Sequence, residues 1–318
     1  MEETAFRGRT KNERIARIIH SLRRHFRLKD ILETLRFPKS TYMYWQKRLD
    51  RTASTQIIEE EIQAIRKKHQ HYGYRRMNQE LKRRGFQVNK KKVQRLIQKL
   101  KLQVKAFTKN LGSTIPIKEP LVKSRRIKFL AILPTVPHQK ITTDTTEFKY
   151  FEADNAGIFR QKKLYLDSFM DMYNSEILSY SLSTQPNGKT VMAGLKEAIS
   201  QTNDCPYRRT FHSEQGWAYQ MNVYIQTLKD NNIFQSMSRK GTCLDNSPME
   251  NFFSILKQEV YYGKIYQNQN ELREAIENYI YYYNHHRIKE KLNWKSPVEF
   301  RQFNQKNCIK NRVEKSTL

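Results

Sequence analysis

Ile141-Thr142-Thr143-Asp144-Thr145-Thr146-Glu147-Phe148-Lys149-Tyr150 is a run dense in β-branched and aromatic residues, and its reading decides the fold. A strand turns alternate residues to opposite faces, so Thr142, Asp144 and Thr146 share one side. Two later segments each deliver another acid. Glu214 follows a short strand in Phe211-His212-Ser213-Glu214-Gln215-Gly216-Trp217, and Glu250 falls in the first turn of a helix in Asp245-Asn246-Ser247-Pro248-Met249-Glu250-Asn251-Phe252-Phe253. Acids this far apart in sequence meet only through a fold. Around them, 141–150, 163–173 and 176–183 read as successive strands, the last two joined by a turn at Asn174-Ser175. Helical patterns at 190–201 and 218–231 then alternate with short strands at 210–212 and 234–236, which predicts a mixed α/β core.

Carboxylates are the hard oxygen ligands that Mg2+ and Mn2+ prefer. Two such ions activate a nucleophile and stabilise the leaving oxygen at phosphorus. With 31 Asp and Glu in the chain, the spacing of any three carries little weight. The flanks carry more: His212-Ser213-Glu214-Gln215-Gly216, Ser236-Met237-Ser238-Arg239-Lys240-Gly241 and Asp245 to Phe253. In this order they resemble the catalytic core of bacterial insertion-sequence transposases of the DDE class. The likeness is to the IS-three group, whose catalytic protein comes from the downstream of two overlapping frames. Lys163 to Leu166, Ile177 to Ser183, and Tyr282-Tyr283-Asn284 through Ser296-Pro297-Val298-Glu299 fit it as well.

The resemblance implies a multidomain protein, with an all-α helix-turn-helix N-terminal region followed by an α/β ribonuclease H-like integrase core. It further implies Asp144, Glu214 and Glu250 as catalytic residues and metal ligands for Mg2+ or Mn2+, as two ions. Lys257, seven residues after Glu250 and so two turns along the same helix face, would contact a DNA terminus. The activity implied is cleavage at the terminal inverted repeats of an element, then transfer of the 3′ end to target DNA by a homo-oligomer. Two positions depart from the family pattern. Ile141 stands where Trp is usual, and Glu214 where Asp is usual. The longer Glu arm leaves a second reading, a catalytically impaired DNA-binding regulator of transposition.

Charge supports a polyanionic partner. Residues 1–128 hold 35 Lys and Arg against 11 Asp and Glu, a net +24 of the chain's +28. Fields of this sign supply sequence-independent affinity for nucleic acid. Apolar residues Ile15, Ile18, Ile19, Leu22 and Phe26 recur at helical spacing. A second helix is expected over 29–35 and a third over 40–49, with Ser40 as its N-cap. This is a helix-turn-helix pattern, its last helix presenting Thr41, Tyr42, Tyr44, Lys47 and Arg48 to DNA, with Trp45 and Leu49 in the core. A second such unit follows. One of its helices is marked by Ile57, Ile58, Ile62 and Ile65, another opens near Arg75 and Arg76, and a third is capped by Asn89 and carries Lys90, Lys91 and Lys92 toward the DNA backbone. Gly73 and Gly85 are expected at sharp turns with positive φ.

The expected domains are 1–52 and 53–104, both DNA-binding, a basic linker at 105–138, the catalytic core at 139–302 and a basic tail at 303–318. No apolar run approaches the roughly 20 residues of a membrane span, which predicts a cytoplasmic, nucleoid-associated protein. Cys205, Cys243 and Cys308 suit neither a disulfide framework nor a zinc site. His69 and His71 lack a cysteine pair, and their expected place is facing solvent or near DNA.

Overall fold

A computed structural model describes residues 10–104, 134–153, 157–238 and 246–305. The chain forms two compact units, residues 1–104 and 105–318. Most of the expected linker, the end of the tail, Cys243 and Cys308 lie outside the described residues.

The first unit is helical, with α1 (Lys11–Leu22), α2 (Leu28–Thr34), α3 (Lys39–Lys68), α4 (Tyr74–Arg83) and α5 (Lys90–Lys99). Thr10 caps α1, its hydroxyl accepting from the Glu13 N–H. Ala16, Ile19, Ile31, Phe37 and Tyr42 form the first core. Ile18 and Phe26, expected there from their spacing, are 54% and 62% exposed; α1 ends at Leu22, which takes Phe26 off its face. The two helices expected on either side of residue 52 are one helix of 30 residues, roughly 45 Å long. The stretch Asp50 to Gln56 holds neither Pro nor Gly. Its Thr52 and Thr55 hydroxyls donate back to the Arg48 and Arg51 carbonyls at 2.9 and 2.7 Å, so they continue the helix instead of capping a new one. Ser40 is already inside α3, whose N-cap is Pro38.

Along the distal half of α3, Ile58, Ile62 and Ile65 are buried, as are Met77 and Leu81 of α4 and Val93, Leu96 and Ile97 of α5. Arg84 and Lys99 pair with Glu61 and Glu59 at 2.8 and 2.6 Å, tying the ends of α4 and α5 to α3. Asn89 caps α5 as expected, and Gly85 has φ +88°. Gly73 does not: its φ is −69°, at the N-cap of α4, so no left-handed turn is needed there. His69 is buried and stacked on Tyr72 with ring centres 4.3 Å apart, which corrects the expected solvent-facing position.

The second unit is built on one five-stranded sheet in the order β3-β2-β1-β4-β5. Strands β1 (Lys140–Ala153), β2 (Phe159–Asp171) and β3 (Ile177–Ser183) are antiparallel, while β4 (Thr210–Ser213) and β5 (Phe234–Met237) run parallel to β1. The strand carrying Asp144 is therefore central. Even-numbered β1 and β2 residues such as Phe148, Tyr150, Leu164, Leu166 and Met170 pack with α8 (Ser247–Leu256) and α9 (Gln269–His285). Odd-numbered Ile141 and Phe169 pack, with Phe211 of β4, against α6 (Gly188–Gln201) and α7 (Asn222–Asp230). This is the α/β ribonuclease H-like arrangement expected.

Polar ties fix the helices. Asn284 of α9 bonds both the N–H and the carbonyl of Ile177, at 3.0 and 2.8 Å. Arg287 pairs with Glu259 at 2.7 Å with both side chains almost wholly buried, and the Tyr279 hydroxyl donates to the same carboxylate. Of the α9 tyrosines, Tyr279 and Tyr283 are buried, whereas Tyr281 is 61% exposed.

Candidate active site

Asp144 lies on the central strand, Glu214 one residue beyond β4, and Glu250 in the first turn of α8. Because β4 is parallel to β1, with Thr142 level with His212, the end of β4 delivers Glu214 beside Asp144. The third acid arrives by a different tie. Asn246, fully buried, takes a hydrogen bond from the Thr142 hydroxyl and sits just ahead of α8, which locks that helix start to the strand two residues from Asp144. His212 is fixed in turn, its two ring nitrogens bonded to Ser236 and Ser238 at 3.0 and 3.1 Å, and Gln215 donates to the Ser238 carbonyl.

The charges of the other two acids are felt at Asp144. Burial, then the charges of Glu214, Glu250 and Asp167, push the Asp144 carboxyl up to about 7, against a backbone hydrogen bond from the Thr145 N–H that favours ionisation. A buried carboxylate facing like charges is a site that a cation relieves. The donor set is all oxygen, which suits Mg2+ or Mn2+. Among the described residues no three His, Cys, Asp or Glu side chains form a group that could hold a metal ion. Asp144 and Glu214 line one cleft of about 250 Å3. Glu250 is exposed and does not line it.

Asp167 went unremarked in the sequence. It lies on β2 opposite Thr145, 3% exposed, and accepts the Thr145 and Ser181 hydroxyls while lining the same cleft. Burial raises its carboxyl. Its position beside Asp144 depends on the β1–β2 register, and no local pattern in Leu164 to Met170 announces that. Asp171, also on β2, is structural: it is fully buried and accepts the N–H groups of His138 and Tyr173 at 2.9 Å each.

The expected DNA-facing residues divide. Lys47, Arg48, Arg75, Lys90 and Lys91 are exposed, and Thr41, Arg76 and Lys92 half-buried. Arg48 lies over the rings of Tyr44 and Trp45, Arg75 bonds the Tyr74 hydroxyl, and Arg76 lies over Tyr72. Tyr42 is a correction. It is fully buried and accepts a hydrogen bond from Arg23, because its place on α3 faces α1 and α2; Trp45, expected in the core, is only half-buried at the edge of that cluster. Lys257 begins a π-helical segment, Lys257–Tyr261, that follows α8, with its ammonium 5.2 Å from the centre of the Phe148 ring.

Comparison with known proteins identifies the family. Two models described as integrase core domain match residues 134–243 and 250–304, and one described as HTH-like domain matches residues 54–109. A protein of Escherichia coli K12 named as a transposase, InsK, for insertion sequence element IS150 is 37% identical over 90% of this chain and 97% of its own length. A transposase-like protein of Haemophilus influenzae is 41% identical over 69% of this chain and 95% of its own length. Among solved structures, the HTLV-2 integrase catalytic core domain in complex with magnesium matches at 14% identity and TM-score 0.39, over 52% of this chain and 98% of that one. No helix among the described residues is long and apolar enough to cross a membrane. The core motifs, the helical DNA-binding unit before them and near full-length similarity to InsK together show that the chain belongs to the bacterial insertion-sequence transposases of the DDE, integrase-like superfamily.

Proposed function

We propose that this protein binds the terminal inverted repeats of its own element, hydrolyses one strand to leave a 3′-hydroxyl, and directs that hydroxyl at a phosphate of target DNA. Asp144, Glu214 and Glu250 hold the divalent ions, which when bound supply charge neutralisation at phosphorus and activation of the nucleophile. The carrying observation is the position of Asp144 on the central strand, under the charge of Glu214 and Glu250. The helices of residues 10–104 grip DNA through Thr41, Lys47, Arg48, Arg75, Arg76 and Lys90 to Lys92, and Lys257 contacts the terminus beside Glu250. Two ends are held by a homo-oligomer. Asp144→Asn abolishes Mg2+-dependent nicking and joining of labelled ends and leaves end binding intact; nicking that persists in this variant removes Asp144 from the mechanism.

Glu214 favours a second reading. An extra methylene displaces the donor oxygens of a site whose ion demands near-octahedral geometry, which yields a protein that binds ends and cuts slowly or not at all. Under that reading Glu214→Asp raises the cleavage rate on the same substrate. An unchanged rate rejects it.

A further inference from the structure

Asp167 is a buried carboxylate that the chemistry above does not use. It stands in a row across three strands, level with Thr145 of β1 on one side and Ser181 of β3 on the other, and it lines the cleft with Asp144 and Glu214. Both neighbours serve it. The Thr145 hydroxyl donates to Oδ1 and the Ser181 hydroxyl to Oδ2, the latter at 3.4 Å while also donating to the Thr190 carbonyl of α6 at 3.0 Å. The Tyr219 hydroxyl lies 3.4 Å from Thr145 Oγ1. Thr145 has given its one hydroxyl proton to Asp167, so Tyr219 donates to Thr145 and the chain of hydroxyls runs toward the carboxylate. Thr145 also reaches the neighbouring acid, its N–H donating to Asp144 Oδ1 at 2.7 Å.

Packing alone does not call for a charge here. An asparagine would accept from Thr145 with its oxygen and donate to Ser181 Oγ with its amide, leaving the Ser181 proton on Thr190, so every hydrogen bond survives neutralisation. Burial works against the ionised form of Asp167, while the two hydroxyls favour it. What the carboxylate adds is a field at Asp144, whose carboxyl is pushed up by burial first and then by Glu214, Glu250 and Asp167. Negative charge gathered behind an oxygen ligand draws a cation. We propose that Asp167 is an outer carboxylate of the cation site, held by Thr145 and Ser181 so that its charge tightens divalent-ion binding at Asp144 and Glu214. This rests on the reading of those two acids as cation ligands. Groups placed behind the ligands of a metal typically contribute about 10- to 100-fold to its affinity.

The test titrates the full chain with Mn2+ alone, without DNA, and follows the free ion by electron paramagnetic resonance. Asp167→Asn weakens binding about 10-fold or more, and Asp144→Asn abolishes it. In the metal-free state Asp167→Asn melts no lower than the wild-type chain, since only a buried charge is lost. Unchanged Mn2+ affinity in Asp167→Asn, with binding lost in Asp144→Asn, overturns the outer carboxylate and leaves the site standing. A lower metal-free melting temperature, or failure of Asp167→Asn to fold, makes Asp167 a structural residue and overturns the proposal equally. Mn2+ affinity that Asp144→Asn does not change rejects the cation site itself, and the outer carboxylate with it. Mg2+-dependent nicking by the wild-type chain is scored separately. Weakened Mn2+ binding in both variants, with no nicking by the wild-type chain, rejects the transposase chemistry and leaves the outer carboxylate in place.

Discussion

Replacing Asp144 by Asn strengthens the metal-free core, and by an amount that depends on pH. Asn keeps the oxygen that accepts the Thr145 N–H at 2.7 Å but carries no charge to be buried or repelled. Folding moves the Asp144 carboxyl from 3.8 to about 7 through burial first and the neighbouring acids second. At about 1.4 kcal/mol for each tenfold change in proton affinity, the ionised form costs at most about 4 kcal/mol of folding free energy. Partial solvent access reduces this to about 2 kcal/mol. The folded state binds the proton more tightly than the unfolded state, so the penalty is nearly absent below pH 4, grows as pH rises from 4 to 7, and is complete above it. Thermal unfolding of the core in the absence of divalent ions should then show Asp144→Asn melting about 4–8 °C above the wild-type chain at pH 8 and level with it at pH 4. Mg2+ should narrow the gap at pH 8 by stabilising the wild-type chain alone. A variant no more stable than wild type at pH 8, or equally stabilised at both pH values, means that the acids do not crowd Asp144, and the proposed site fails with them.

Tyr42→Ala should unfold the first helical unit by about 3–5 kcal/mol in denaturant titrations, because it empties a fully buried position. Lys47→Ala and Arg48→Ala should leave stability unchanged, weaken DNA binding and each lower the slope of log affinity against log salt by about 1, as measured by anisotropy across a salt series. Arg287→Ala should cost about 3–5 kcal/mol, since it strands the Glu259 carboxylate in the interior; a loss under about 1 kcal/mol would show water reaching that pair.

Local chemistry set a good deal of this molecule. The β-branched run around Asp144, the cap at Asn89 and the positive φ at Gly85 follow from rules that act within a few residues, so each was legible in the chain. The charge gradient likewise needed no coordinates to point to a polyanionic partner. The misreadings along α3 share an origin. Whether polar residues 50–56 break a helix or continue it, and whether Tyr42 or Trp45 turns inward, depends on what packs against α3, and periodicity does not encode that.

Sequence order named Asp144, Glu214 and Glu250 as a possible set but contained no force that gathers them. Parallel pairing of β4 with β1 puts Glu214 in one cleft with Asp144, the buried Asn246–Thr142 bond ties the start of α8, which carries Glu250, to the same strand, and the β1–β2 register adds Asp167 to the cleft. Residues distant along the chain become neighbours only when burial of the two apolar faces of the sheet holds them there. The sequence therefore suggests the acids, and the tertiary structure supplies the field of Glu214, Glu250 and Asp167 at Asp144.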